Sequence, residues 1–134
     1  MTDTMSPSDD AAVRVLLVED YPELAMVTEE LLLGQHLDVR TAMSGQEALE
    51  VARAFRPQLV LCDLNLPDMT GLDVIRRLRS DPSTEGTYAV ILTAVRERDL
   101  AIDSKDQELR VDAIVSKPIT TDTVRTLIEK VNRQ

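Results

Sequence analysis

Leu59–Gly71 reads LVLCDLNLPDMTG. The run from Leu59 to Cys62 is apolar without a break, as expected of a short strand covered on both faces of a parallel sheet. It stops on Asp63, and a loop follows that holds Pro67, a second acid at Asp68, and Gly71. A carboxylate in that place either caps the turn or is held in a pocket to react, and the two readings are separated by what the rest of the chain places beside it.

Working outward, the same pattern recurs. Val13–Val18 (VRVLLV) is a β-branched apolar run that ends abruptly at Glu19-Asp20. A helix opens at Tyr21-Pro22, with Leu24, Val27, Leu31 and Met26 at three-to-four-residue spacing and Gly34 as its stop. Leu37–Thr41 is a brief second strand. Ser44-Gly-Gln-Glu47 spells a capping box for the next helix, whose apolar side is Ala48, Leu49, Val51, Ala52 and Phe55 and which Pro57 ends. After the third strand, Gly71–Arg79 reads as a helix with Leu72, Ile75 and Leu78 inward, and Arg76, Arg77 and Arg79 read as a solvated face or, alternatively, a docking face. Ala89–Leu92 and Val111–Val115 make strands four and five, Arg96–Arg110 a charged helix between them, and Thr121–Val131 the last helix.

Strictly alternating strands and helices predict a flavodoxin-like (βα)5 three-layer sandwich around a five-stranded parallel sheet of order 2-1-3-4-5. Residues 1–12 read as a disordered acidic leader and 13–132 as one domain, a length sufficient for a single core without staples. Aromatic residues are confined to Phe55, Tyr21 and Tyr88, so aliphatic side chains must fill that core. With 15 basic and 24 acidic residues the chain carries a net charge of −9, which repels nucleic-acid phosphates and anionic membranes. Cys62 is the sole cysteine, so neither an internal disulfide nor a cysteine zinc cluster can form, and its apolar setting makes it a core thiol. No signal peptide and no run of about 20 apolar residues is present, and the expected location is the cytoplasm.

In such sheets the ligand site lies beyond the carboxyl ends of the strands, where strand order reverses. There the chain offers Glu19-Asp20 after strand one, Asp63 after strand three, Thr93-Ala94 after strand four and Lys117-Pro118 after strand five. Three carboxylates in one crevice repel each other unless a cation joins them, and Mg²⁺, which takes oxygen ligands and keeps several waters, suits the set. Carboxylate nucleophile, Mg²⁺, Lys and Thr together fit phosphoryl transfer through an acyl phosphate. A mononucleotide binder of the same architecture needs amides facing phosphate after strand one, whereas EDYPEL attracts a cation. His36, the only histidine, reads as exposed or C-capping, and Asp68 as a solvated turn residue.

LLVEDY, LVLCDLNLPDMTGLDVIRRLR, VILTA and VSKPI occur in this order and spacing over residues 13–132, and through them the chain resembles the receiver domain of two-component response regulators. By that resemblance Asp63 is the phosphoacceptor and Asp20 a direct Mg²⁺ ligand. Glu19 holds the ion through water, and Asp63 together with the Asn65 backbone carbonyl completes the protein ligands. Thr93 and Lys117 contact the phosphoryl group, Pro118 follows a cis peptide bond, and Gly71 lets the loop turn into its helix. The position that many receivers fill with a switching aromatic residue is Ile114, so the resemblance implies a different readout of Thr93. The segment between Thr93 and Lys117 also departs from the family pattern. The implied partners are a histidine kinase or histidine phosphotransfer protein, an unknown output protein and, on phosphorylation, a second copy; direct nucleic-acid binding is not expected. The chain would be a signalling receiver, standing alone or drawn from a hybrid kinase, that assists only its own phosphorylation and dephosphorylation. The competing reading is a receiver-like interaction module that works without phosphorylation.

Overall fold

The computed structural model describes residues 12–94 and 109–134. The apolar strand β3 (Leu59–Asp63) is buried at every position. It lies centrally in a parallel sheet with β1 (Arg14–Val18), β2 (Asp38–Ala42), β4 (Tyr88–Thr93) and β5 (Ala113–Ser116), in the order β2-β1-β3-β4-β5. The register sets Val18 beside Cys62 and Asp63 beside Leu92, so the last residues of β1, β3 and β4 reach one edge together. The flavodoxin-like architecture and strand order expected from the alternation are those observed.

Four helices among the described residues cover the sheet: α1 (Pro22–Leu33), α2 (Gly45–Phe55), α3 (Gly71–Arg79) and α4 (Thr121–Asn132). Side-chain alternation divides the core between the two faces. Val15, Leu17, Leu59, Leu61, Val90 and Leu92 pack with Leu32 of α1 and with Val124, Leu127 and Val131 of α4. On the other face Leu16, Val18, Val60 and Cys62 meet Ala48 and Ala52 of α2 and Val74 and Leu78 of α3, while Ala89 and Ile91 meet Leu72 and Ile75. The expected inward faces of α2 and α3 are the ones in contact with the sheet. Strand ends fall within two residues of the expected ones. Residues 1–11, most of the expected leader, and 95–108, most of the expected Arg96–Arg110 helix, lie outside the described residues.

Two expectations need correction. The inward stripe of α1 is Ala25, Thr28 and Leu32, whereas Met26 and Val27 are 64% and 63% exposed. Apolar residues occupy adjacent positions in this helix, which blurs its period; the face that packs on the core also lets Glu29 accept a 2.6 Å hydrogen bond from Thr41 of β2. Gly34 caps the end of α1 as expected, with an ordinary right-handed φ of −63°, and the left-handed residue beyond it is the exposed His36, φ 62°, whose N–H donates to the Leu33 carbonyl.

The second correction concerns Arg79, which is not on a solvated face. Its side chain is only 13% exposed and donates to the carbonyls of Glu85, Thr87 and Arg110 and to the Asp112 carboxylate at 3.0 Å. Asp112 also accepts from the Ala89 N–H at 2.8 Å. One guanidinium thereby ties the end of α3 to the entry of β4 and β5, far from the carboxyl ends of the strands.

Candidate functional site

At the carboxyl ends, β1 delivers Glu19, β3 delivers Asp63 and β5 delivers Lys117. The Lys117 ammonium donates to Glu19 Oε1 at 2.9 Å and pairs with Asp63 Oδ2 at 3.0 Å. Glu19 is 2% and Asp63 8% exposed, while Asp20 stands in solvent at the rim. One carboxylate oxygen from each of Glu19, Asp20 and Asp63 lies within 4.8 Å of the others, a set of hard oxygen donors that fits a small divalent cation.

Burial pushes the Glu19 carboxyl up, and the nearby Asp63 charge adds to this, against the pull of the Lys117 hydrogen bond. Burial alone would draw Lys117 down, but its bonds and charge contacts with Glu19 and Asp63 outweigh it and hold the ammonium above its ordinary value. Lys117 is therefore charged at neutral pH and balances only part of the three acids around it. Burial also pushes the Cys62 thiol up, with the Asp63 and Glu19 charges adding to the effect; as a buried thiol it takes no part in the crevice chemistry.

Local backbone structure places these groups. The Lys117–Pro118 peptide is cis, and the Lys117 N–H donates to the Thr93 carbonyl at 2.8 Å, which brings the lysine back over the crevice. Thr93, 3% exposed, ends β4 opposite Ser116. The Asn65 N–H points at Asp63 Oδ1 at 3.4 Å. Thr70 and Asp73 cap α3 reciprocally, a capping box legible in the spelling Thr70-Gly-Leu-Asp73 but absent from the expectations.

Gly71 acts by closeness rather than by backbone freedom, since no glycine among the described residues has a positive φ. A β-carbon there would stand 2.5 Å from the Asp63 carbonyl oxygen and 2.9 Å from Ile91 Cδ1. Ile114 is not gathered into the acidic crevice; half-buried, it packs against the cluster of Leu72, Ile75, Ala89 and Ile91 with Leu64, Leu109 and Val111.

Asp68, expected to be merely solvated, accepts hydrogen bonds from the N–H groups of Gly45 at 2.8 Å and Gln46 at 2.9 Å, the first two residues of α2. Those donors hold its carboxyl below the usual range.

Strand order, the acidic crevice and the lysine over it define a receiver-type α/β signalling domain, and the chain belongs to the response regulator receiver domain family, whose model matches residues 15–129. It is 43% identical over 86 residues to the DNA-binding response regulator MtrA of Mycolicibacterium smegmatis, a match covering 64% of this chain and 36% of that one. The chain spans about half or less of the length of MtrA and of a second mycobacterial regulator that it matches over 122 residues. A receiver domain from Methylobacillus flagellatus superposes with a TM-score of 0.79 at 29% identity, covering 90% of this chain and 99% of that one. The receiver domain of the sensor histidine kinase PA1611 from Pseudomonas aeruginosa, solved with magnesium in its active-site cleft, has the same fold at a TM-score of 0.80 and 22% identity, covering 92% of this chain and all of that one.

Proposed function

We propose that Asp63 accepts a phosphoryl group from a phosphohistidine on a histidine kinase or phosphotransfer protein, and that Mg²⁺ is held by Glu19, Asp20, Asp63 and the Asn65 backbone carbonyl. The observation that carries this reading is the convergence of Glu19, Asp20, Asp63 and Lys117 in one crevice. Bound Mg²⁺ supplies positive charge that offsets the oxygens of the transferring group. An Asp63 carboxylate oxygen attacks phosphorus, the P–N bond breaks, and its electron pair stays on the departing imidazole nitrogen; the product is an acyl phosphate. Lys117, already 3.0 Å from Asp63, exchanges a carboxylate partner for a phosphoryl oxygen, and the Thr93 hydroxyl donates to another. Ile114 lacks a ring to swing, so the new contact of Thr93 is read out through the aliphatic packing of β5 on α3.

Among the described residues no helix is long and apolar enough to cross a membrane, and the proposed setting is the cytoplasm, with a separate partner or domain for output. The test is intact-mass spectrometry after incubation with acetyl phosphate and Mg²⁺. Wild type should gain the mass of one phosphoryl group and Asp63→Asn should not. An unlabelled wild type, beside a control receiver that labels, removes the phosphoacceptor reading.

A further inference from the structure

The loop that follows Asp63 is built as an out-and-back excursion, and its tip rests on a helix that takes no part in the crevice. At its base the Leu64 N–H donates to the Leu92 carbonyl at 3.0 Å and the Gly71 N–H to the Leu64 carbonyl at 2.7 Å. Asn65 bridges Thr70 across the loop, and the Leu66 N–H reaches the Met69 carbonyl at 3.2 Å. The base therefore hangs from the sheet, and Asn65 lies one step farther out, its N–H toward Asp63.

Nothing in the sheet touches the tip, Pro67–Met69, through a backbone hydrogen bond. Its hydrogen-bonded anchorage comes from α2, while Met69 also packs against the core cluster of Leu16, Val18, Val60 and Cys62 with α2 and α3 residues. The Asp68 carboxylate spans the N–H groups of Gly45 and Gln46, which would otherwise be open donors at the start of a helix. Beside it the Met69 side chain lies so close to Gly45 that a β-carbon there has no room. A charged acceptor bonded to two helix N-terminal amides is a strong and directional fastening even in solvent.

We infer that Asp68 is a positioning residue for the metal site: by clamping the loop tip to α2 it fixes the plane of the loop and with it the Asn65 carbonyl. This rests on the proposed role of that carbonyl as a Mg²⁺ ligand. Outlying partners that orient metal ligands change affinity by about 10- to 100-fold when removed. Asp68 acts through three residues of backbone and belongs at the lower end.

The experiment is a Mg²⁺ titration followed by amide chemical shifts in wild type, Asp68→Ala, Asp68→Asn and Ser44→Ala. Ser44→Ala removes the other cap of α2, the Ser44 hydroxyl that accepts from the Glu47 N–H, and leaves the loop untouched. Asp68→Ala should raise the Kd for Mg²⁺ by about tenfold, Asp68→Asn by less, and Ser44→Ala not at all. In metal-free protein the Leu66 amide should exchange faster in Asp68→Ala than in Ser44→Ala. A Kd within twofold of wild type in Asp68→Ala overturns the inference while leaving the acceptor reading in place. An equal rise in Ser44→Ala also overturns it, since the effect would then be helix stability. A wild type that shows no Mg²⁺-dependent shifts overturns the metal reading and this inference with it.

Discussion

Replacing Lys117 with methionine keeps the bulk of the chain and removes one ammonium held by two buried carboxylates at 2.9 and 3.0 Å. Breaking a buried ion pair from one side costs about 3–5 kcal/mol, because the stranded charge keeps its desolvation penalty. Lys117 is 18% exposed, and water admitted along it places the loss near the lower end, about 3 kcal/mol at pH 8. For a chain of 134 residues that corresponds to a fall in Tm of roughly 10 °C.

The loss must depend on pH in one direction. Burial raises the Glu19 carboxyl above its ordinary 4.5 even with Lys117 present, and without Lys117 it rises further. A folded-state value above the unfolded one means that protonated Glu19 favours folding below the unfolded value. That contribution fades as pH climbs through the folded value. Lowering the pH from about 8 toward about 5 moves the variant's Glu19 toward its protonated form, which relieves one of the two stranded charges, so the deficit should shrink. Urea unfolding of metal-free protein at both pH values measures this. A deficit under about 1 kcal/mol at pH 8, or one unchanged at pH 5, would refute the view that Lys117 compensates stranded acids.

Two further substitutions test the scaffold by the same unfolding measurement. Arg79→Met should destabilise by about 3 kcal/mol, since it leaves Asp112 and three carbonyls without their shared donor; a change typical of exposed arginines, within about 0.5 kcal/mol, contradicts the buried network. Gly71→Ala should cost about 2 kcal/mol or more through overlap with the Asp63 carbonyl and Ile91, and should also slow labelling by acetyl phosphate. A fully stable, normally labelled Gly71→Ala protein means that the helix does not approach the strand so closely.

The sheet was readable because β1, β3, β4 and β5 carry aliphatic runs that give way to polar residues, and the crevice because those residues include acids, a threonine and a lysine. The rotation of α1 was not, since Leu24, Ala25, Met26 and Val27 are adjacent and apolar and the bond donated by Thr41 to Glu29 joins residues of different elements. Arg79 and Asp112 stand 33 positions apart, and nothing local distinguishes that arginine from Arg77. Asp68 was misread for a similar reason. Its partners are backbone amides 22 and 23 residues upstream, which have no side-chain signature at all. Local chemistry announces itself in sequence, while long-range fastening of one element by another appears only once the elements are placed.

The thiol of Cys62 is fully buried on the central strand, its Sγ near the Asp63 carbonyl at 3.4 Å, and it is the chain's only sulfhydryl. An alkylating reagent can reach it only when α2 or α3 lifts from the sheet, because the thiol lies under those helices, and fraying of the edge strands β2 and β5 leaves it covered. The protein thus carries a native clock for opening of that helical layer, one residue from Asp63, that can be timed by thiol capture without adding a probe.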